Sequence, residues 1–469
     1  MAERADEPPR KPSRPDPKDE EIERLRREVE RLRRENERLK RELDLARRAA
    51  RRQAAPFSKG APTPTPRPPG RRTGRRYGPH ARRPVPTTIH ERYAAPLPSA
   101  CPSCGGRLQR TRVAAQYQEE LPVVTPVVRR FTVHIGRCRV CGVRVQGRHP
   151  LQTSNALGAA AVHLGPRAVA LIAILNKQLG LSHGKIAAFV QTQFSLAVTP
   201  SAITQALHRA ARQAQPTYAA LCATIRGSPM VVPDETSWKV NGHSHWLWAF
   251  APPTATAYAI RRGRGFADAA AMLGADFRGT LVRDGWCAYK EFHHATHQSC
   301  LAHLLRHSRE VVADHPRVAW PARVHRLLLR ALALRHRRDH GLVSAHGAAV
   351  ARGRLIGALL NALARPGHTL TLQRFARHLT TELPAIFSFL FDPTLDATNW
   401  RAEQALRPAV VNRKVCGGNR SARGAATQQV LTSVIRTAQQ QHLSATDVLI
   451  QLLHAHQPIV SPALQLRAQ

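Results

Sequence analysis

No run of about 20 apolar residues, the length needed to cross a bilayer, occurs anywhere in the chain. The best candidate, "RAVALIAILNKQLG" at 167–180, is too short, so no membrane is expected as a partner. The opening "MAERADEPPRKPSRPDPKDEE" is polar and mixed in charge, without the apolar segment of a secretory signal, and a cytoplasmic, nucleoid-associated location is expected. Acids are scarce: 31 Asp and Glu stand against 71 Lys and Arg, a formal net charge of +40. Solubility needs far less, and such an excess favours a polyanion, of which nucleic acid is the commonest. Cysteines number only eight, four of them in two close pairs. Without an export signal that pattern favours metal ligation over disulfides.

What is present divides into segments. With 43% hydrophobic residues in 469, the chain can bury at least one sizeable core and hold several domains. Residues 19–52 carry heptads, with Ile22, Leu25, Val29, Leu32, Asn36, Leu39, Leu43 and Ala46 at alternating spacings of three and four. Almost everything else there is charged, so a second helix along the seam is expected, in a parallel pairing that Asn36 would specify. The bland alternative is one long solvated helix. Residues 53–95 form a linker rich in Pro, Gly and Arg that cannot build a core. Its Arg71, Arg72, Arg75 and Arg76, followed by Arg82 and Arg83, make either a DNA-following arm or a solvated spacer.

Residues 96–150 contain "CPSCGG" and "CRVCG". The two-residue gaps let Cys101 with Cys104, and Cys138 with Cys141, reach one ion from tight turns, and four thiolates complete a closed, structural zinc site. The segment between them, "YQEELPVVTPVVRRFTVHIG", is β-type sequence, so a zinc ribbon with a long hairpin insert is expected; unpaired core thiols are the alternative. Residues 151–225 read as helical, mainly over 156–215, with a helix-turn-helix in 181–213. Ser182 is a candidate N-cap, 194–198 the turn, and Thr199-Pro200 the start of the second helix. Ile203, Ala206, Leu207 and Ala210 should pack inward. Thr204, Gln205, His208, Arg209 and Arg212 should face outward, able to reach DNA, unless this is an ordinary helical hairpin.

From 226 to 304 the pattern turns to strands. "VVPDETSWKV" and "GTLVRDGWCAYKEF" each end an apolar run in an acid, Asp234 and Asp284. Carboxylates at neighbouring strand ends can share a Mg²⁺ ion, and two such ions can serve phosphodiester chemistry if a third carboxylate helps hold the second. "DATNWRAEQALRP" at 396–408 offers Glu403 on a short helix ending at Pro408, with Asn399 four residues earlier on the same face. Glu403 could equally pair with Arg407. Residues 305–392 read mostly as helices.

Several pieces occur in one order: the zipper, "PFSKG", the C-x-x-C pairs, "DETSWKVNG…WLWAF", "GTLVRDGWCAYKEF", "CLAHLLR", and the long stretch from "TNWRAEQALRPAVVNRKVCGGNR" onward. In this the chain resembles transposases of the insertion-sequence-66 family over nearly its full length. The resemblance implies a ribonuclease H-like catalytic domain with an Asp-Asp-Glu triad, which falls on Asp234, Asp284 and Glu403. It makes 305–392 a helical insertion before Glu403, and it places Cys300 and His303 three apart after the second Asp. The family's Asn-Asn-x-x-Glu-Arg pattern departs here: the second Asn and the Arg are replaced by Trp400 and Gln404.

The expected architecture is therefore a multidomain α/β chain: coiled coil, basic linker, zinc ribbon, helical helix-turn-helix region, and a ribonuclease H-like mixed-sheet core (226–304 and 393–445) interrupted by the helical insertion, with a tail at 446–469. The resemblance implies an enzyme that binds the ends of an insertion sequence and, with Mg²⁺ or Mn²⁺ at the triad and structural Zn²⁺ at the cysteines, cleaves and transfers DNA strands. Arg413 and Lys414 would clamp the DNA backbone, beside Arg420. Element ends and target DNA are the expected partners, with a homodimer or larger assembly through the coiled coil, and accessory proteins of the element as further candidates. A DNA-binding regulator without catalysis and a general metal-dependent nuclease are the competing readings.

Overall fold

The computed structural model describes residues 17–51, 83–157, 163–365 and 369–455. The chain divides into two compact units, one up to Glu120 and one from Leu121. The expected arm residues Arg71, Arg72, Arg75, Arg76 and Arg82 lie outside the described residues. In the first unit α1 (Pro17–Arg51) is one continuous helix. Ile22, Leu25, Val29, Leu32 and Leu39 form an exposed apolar seam on it. Ion pairs one turn apart, such as Arg31 with Glu28 (2.6 Å) and Arg34 with Glu30 (3.2 Å), brace the polar faces.

In the second unit, β1 (Ile135–Arg137) and β2 (Arg144–Gln146) form a small antiparallel hairpin. The strand content expected across 117–136 is corrected: among the described residues only Ile135 and Gly136 of that stretch are strand. Pro122 and Pro126 lack an N–H for a ladder, and the intervening β-branched residues are exposed with no neighbouring strand to pack on.

Helices follow. α2 (Pro166–Ala173) runs on through a π-helical turn, Ile174–Gln178, to α3 (His183–Phe194) and α4 (Pro200–Arg226). Ser182 and Thr199 cap α3 and α4 by accepting from Lys185 N (3.3 Å) and Ala202 N (3.2 Å), as the sequence implies. α4 passes beyond the expected end at 215 because its buried stripe continues through Tyr218, Leu221 and Ile225.

The sheet comes next. β3 (Met230–Val231), β4 (Pro233–Val240), β5 (His243–Phe250) and β6 (Ala257–Arg261) precede α5 (Phe266–Leu273), β7 (Thr280–Arg283), α6 (Cys287–Lys290) and β8 (Thr296–Ser299). Asn241 and Gly242 both have positive φ (51° and 78°), the requirement for a two-residue hairpin between β4 and β5. Val232 exchanges two backbone hydrogen bonds with Ala251 (3.3 and 3.0 Å), so β3 and β4 act as one strand. The order across the sheet is β6-β5-β4/β3-β7-β8, antiparallel on the β5 and β6 side and parallel on the β7 and β8 side.

The remaining helices are α7 (Leu301–Asp314), α8 (Ala319–Asp339), α9 (Ala345–Leu363), α10 (Leu370–Ile386), α11 (Ser388–Phe391), α12 (Trp400–Cys416), α13 (Ala422–Gln440) and α14 (Ala445–His454). α7 to α11 share a core that includes Val282 of β7. On one sheet face Trp248, Phe250, Ala257 and Ala259 join a core with α2–α4, α13 and α14. On the other, Trp238, Ala249 and Tyr258 pack against Ala405, Leu406 and Ala409 of α12. Among the described residues no helix is long and apolar enough to cross a membrane.

Candidate functional site

Strand alternation separates the two neighbouring acids of β4. Asp234 lies opposite Ala249 and shares the face that α12 covers, whereas Glu235 lies opposite Trp248 on the other face. Glu235 is buried there, accepting from Arg264 Nε (2.5 Å) and from the Tyr289 hydroxyl. Arg264 in turn lies 3.8 Å from the Trp286 ring centre, and Trp286 Nε1 donates to Arg264 O (2.9 Å).

Asp284 is the first residue after β7, where its Oδ1 accepts from Trp286 N (2.9 Å). Glu403 sits exposed in the first turn of α12, with Oε1 3.8 Å from His303 Nε2. The side chain beside it is thus His303 rather than Arg407. Burial raises the Asp234 carboxyl first, Glu235 adds to this, the backbone N–H of Glu235 (2.9 Å) opposes it, and Asp284 and Glu403 push further, leaving it at about 7. Asp284 and Glu403 are therefore both within electrostatic reach of Asp234.

A cation would relieve that repulsion, and an all-oxygen donor set suits a hard divalent ion such as Mg²⁺. Among the described residues, however, no group of three or more His, Cys, Asp and Glu side chains stands close enough to hold a metal ion. Holding one requires these side chains to close in. A cavity of about 260 Å³ opens beside Gly285, with His303, His307 and His378 in its wall.

The supports of the carboxylates were not evident from spacing. Glu382 of α10 is buried and accepts from Arg283 Nη1 (2.6 Å) and Ser299 Oγ (2.5 Å), with Lys290 Nζ 2.6 Å away. α10 thereby grips the ends of β7 and β8 next to Asp284. Burial pushes the Glu382 carboxyl up, but Arg283, Lys290 and Ser299 outweigh it and hold it at about 2. Cys300 Sγ donates to Asn399 Oδ1 (3.1 Å) and accepts from Asn399 N (3.3 Å), tying the start of α7 to the start of α12. Burial pushes the Cys300 thiol up, which keeps it a donor.

Two expectations about α12 are corrected. The helix does not end at Pro408 but runs to Cys416. A mid-helix proline costs about 3 kcal/mol, offset here by seating Ala405, Leu406 and Ala409 on the sheet. Asn399 does not share a face with Glu403: as the N-terminal flanking residue it is fully buried against Cys300, while Glu403 is exposed.

The loop after α12 is locked to β4. Asn419 N donates to Lys239 O (2.9 Å), Asn241 N to Asn419 O (2.8 Å) and Trp238 Nε1 to Asn419 Oδ1 (2.8 Å). Gly418 has φ of 126°, and a Cβ there would collide with Lys239 O. Arg413, expected to clamp DNA, is turned onto β4, donating to Thr236 Oγ1 (3.0 Å) and Ser237 Oγ (2.7 Å). Lys414 and Arg420 remain exposed.

On α4, Ile203, Ala206, Leu207 and Ala210 are buried and Gln205, Arg209 and Arg212 exposed, as expected. Thr204 and His208 are corrected: Thr204 Oγ1 meets His183 Nδ1 (3.0 Å) and His208 Nδ1 meets Thr427 Oγ1 of α13 (2.7 Å). α13 covers that side of α4.

The two C-x-x-C turns have matching backbones. Gly105 N donates to Cys101 O (2.8 Å) and Cys101 N to Gly106 O (2.9 Å); Gly142 N donates to Cys138 O (3.0 Å) and Cys138 N to Val143 O (2.9 Å). Gly105 and Gly142 have φ of 71° and 70°. Backbone hydrogen bonds at Ser103 and Cys104 lower the Cys101 thiol, and those at Cys141 and Val140 lower Cys138.

The model of the family described as Transposase IS66 family matches residues 161–427. That span holds Asp234, Asp284 and Glu403 and leaves out α1, both C-x-x-C turns and α14. No curated protein matches the chain.

Proposed function

The chain belongs to the IS66 family of transposases, and on that premise we propose that it is a DNA transposase that binds the ends of an insertion sequence and cleaves and transfers DNA strands. The observation that carries the reading is that Asp284, just past the end of β7, and Glu403, on α12, both raise the carboxyl of Asp234 within the continuous β3–β4 strand. The mixed sheet order, with α12 across the Asp234 face, supports a ribonuclease H-like core.

The reaction is in-line phosphoryl transfer without a covalent protein intermediate. Water attacks a phosphodiester at the element's end, and the freed 3′-hydroxyl then attacks target DNA. Mg²⁺ or Mn²⁺ held by Asp234, Asp284 and Glu403 would supply activation of the attacking oxygen and neutralisation of developing charge. The chain's own part is positional. Glu382 fixes the strand end before Asp284, Cys300 and Asn399 fix the start of α12, and Arg413 and the Gly418-Asn419 loop hold α12 to β4. Burial keeps Asp234 protonated more readily than an ordinary carboxyl, so the site favours a bound cation over an empty, fully ionised state.

Gln205, Arg209, Arg212 and Lys414 are the exposed candidates for DNA contact, joined by Arg71, Arg72, Arg75 and Arg76 of the linker. The two C-x-x-C turns, in which backbone hydrogen bonds lower the first thiol of each pair (Cys101 and Cys138), support structural Zn²⁺ held with Cys104 and Cys141. The exposed seam of α1 supports pairing of two copies, which joining two DNA ends requires. Purified protein with Mg²⁺ should nick DNA bearing the element's ends and join the freed 3′-ends to a target plasmid. Binding without any cutting would favour a regulator derived from a transposase. Cutting without regard to end sequence would favour a general nuclease.

A further inference from the structure

Trp400 opens α12 three residues before Glu403, a spacing that places the two side chains side by side on the helix surface. It is 41% exposed, an unusual cost for the largest apolar side chain beside a charged site. Arg401 holds its guanidinium 4.8 Å from the Trp400 ring centre. That guanidinium is itself fixed by Asp396 Oδ2, 2.5 Å from Nε, and Asp396 is anchored further by Arg335 at 3.7 Å. The ring therefore stands in solvent, braced by a cation, at the edge of a site proposed for phosphodiester chemistry. An exposed aromatic face next to a guanidinium offers what an unpaired base seeks, a π surface and positive charge for the adjoining phosphate. A paired base offers no face to it.

We infer that Trp400 is a stacking platform for an unpaired base of the DNA strand entering the site, next to the phosphodiester that is cut. This rests on the transposase reading above and deepens it. Trp400 is a positioning residue: stacking holds the strand so that its backbone passes Glu403, and the tryptophan does this where the resemblance implies an asparagine.

The test uses the full-length protein without added Mg²⁺ or Mn²⁺ and two probes: a forked oligonucleotide duplex with 2-aminopurine in the single-stranded arm at the junction, and the same sequence fully paired. Wild type and Trp400→Phe should quench the 2-aminopurine of the fork. Trp400→Ala should not, and its affinity for the fork should fall by about 5- to 150-fold, the range for losing one base stack. Affinity for the paired duplex should stay unchanged, which also shows that the variant is folded. Equal quenching and fork affinity in wild type and Trp400→Ala would overturn the inference, as would equal loss of both DNAs in Trp400→Ala. Wild-type protein that binds duplex without fork preference or quenching overturns the inference and leaves the transposase reading standing. Wild-type protein that binds neither DNA overturns both.

Discussion

At the scale of single residues, the acids of this basic chain do separate jobs according to what surrounds them. Asp234 is pressed upward by burial and by other carboxylates, whereas Glu382 is pulled down by two cations and a hydroxyl. Glu382 has a folded-state value of about 2 against an ordinary 4.5, so its stabilisation is complete above pH about 4.5 and is lost as pH falls toward 2. Urea titrations at pH 5 and pH 3 should show a larger drop for wild type than for Glu382→Gln. At pH 7, Glu382→Ala should cost about 3–5 kcal/mol, the price of stranding the buried Arg283. An unchanged urea midpoint would remove Glu382 as the anchor of β7. Asp284 was legible in the sequence as the acid closing β7, whereas Asp234, read as a strand end, is corrected: the strand continues through it from Met230 to Val240, because the apolar run before it goes on as an alternating one. Glu403 was placed by family resemblance, since its spacing equally allowed a pair with Arg407. Glu382 was not legible at all: its partners Arg283 and Ser299 lie 99 and 83 positions away, and local pattern carries no information about such partners.

At the scale of elements, α13 stands in for a missing strand beside β6. Gln429, Ser433 and Thr437 accept from the backbone N–H groups of Ile260 (3.3 Å), Tyr258 (2.9 Å) and Thr256 (3.1 Å). Four helical residues advance about 6 Å and two strand residues about 6.6 Å, so the two ladders stay in step over this length. The edge that would otherwise invite another strand is thereby closed. Ser433→Ala should strand the buried Tyr258 N–H and lower stability by about 1–3 kcal/mol, read by chemical denaturation; no measurable loss would show that the helix only covers the edge. Caps were readable at this scale, because Ser182 and Thr199 act within three residues of themselves. The extended run before β1 and the length of α12 were misread for one reason. β-branched residues need a neighbouring strand that the sequence does not reveal, and Pro408 is tolerated only because a sheet lies beneath it.

At the scale of the whole molecule, the sequence carries a strongly basic balance of +40, while Glu235, Asp284 and Glu403 each raise the carboxyl of Asp234. A polyanion is drawn to such a chain, and only at those acids does a divalent cation gain most by binding. The basic surface was plain from composition. The sheet order and the packing of α4 under α13 were not, since β3 pairs with β7 from Met230 to Thr280 and α4 meets α13 from His208 to Thr427, far beyond the reach of local pattern. The most direct measurement is Mg²⁺-dependent cleavage of end-bearing DNA by wild type, Asp234→Asn, Asp284→Asn and Glu403→Gln, with DNA affinity measured on the same preparations. Changing a residue behind a metal ligand costs about 10- to 100-fold, so each substitution of a ligand itself should lower cleavage by more than about 100-fold while affinity for DNA is kept. Undiminished cutting by any one of the three variants would contradict the account.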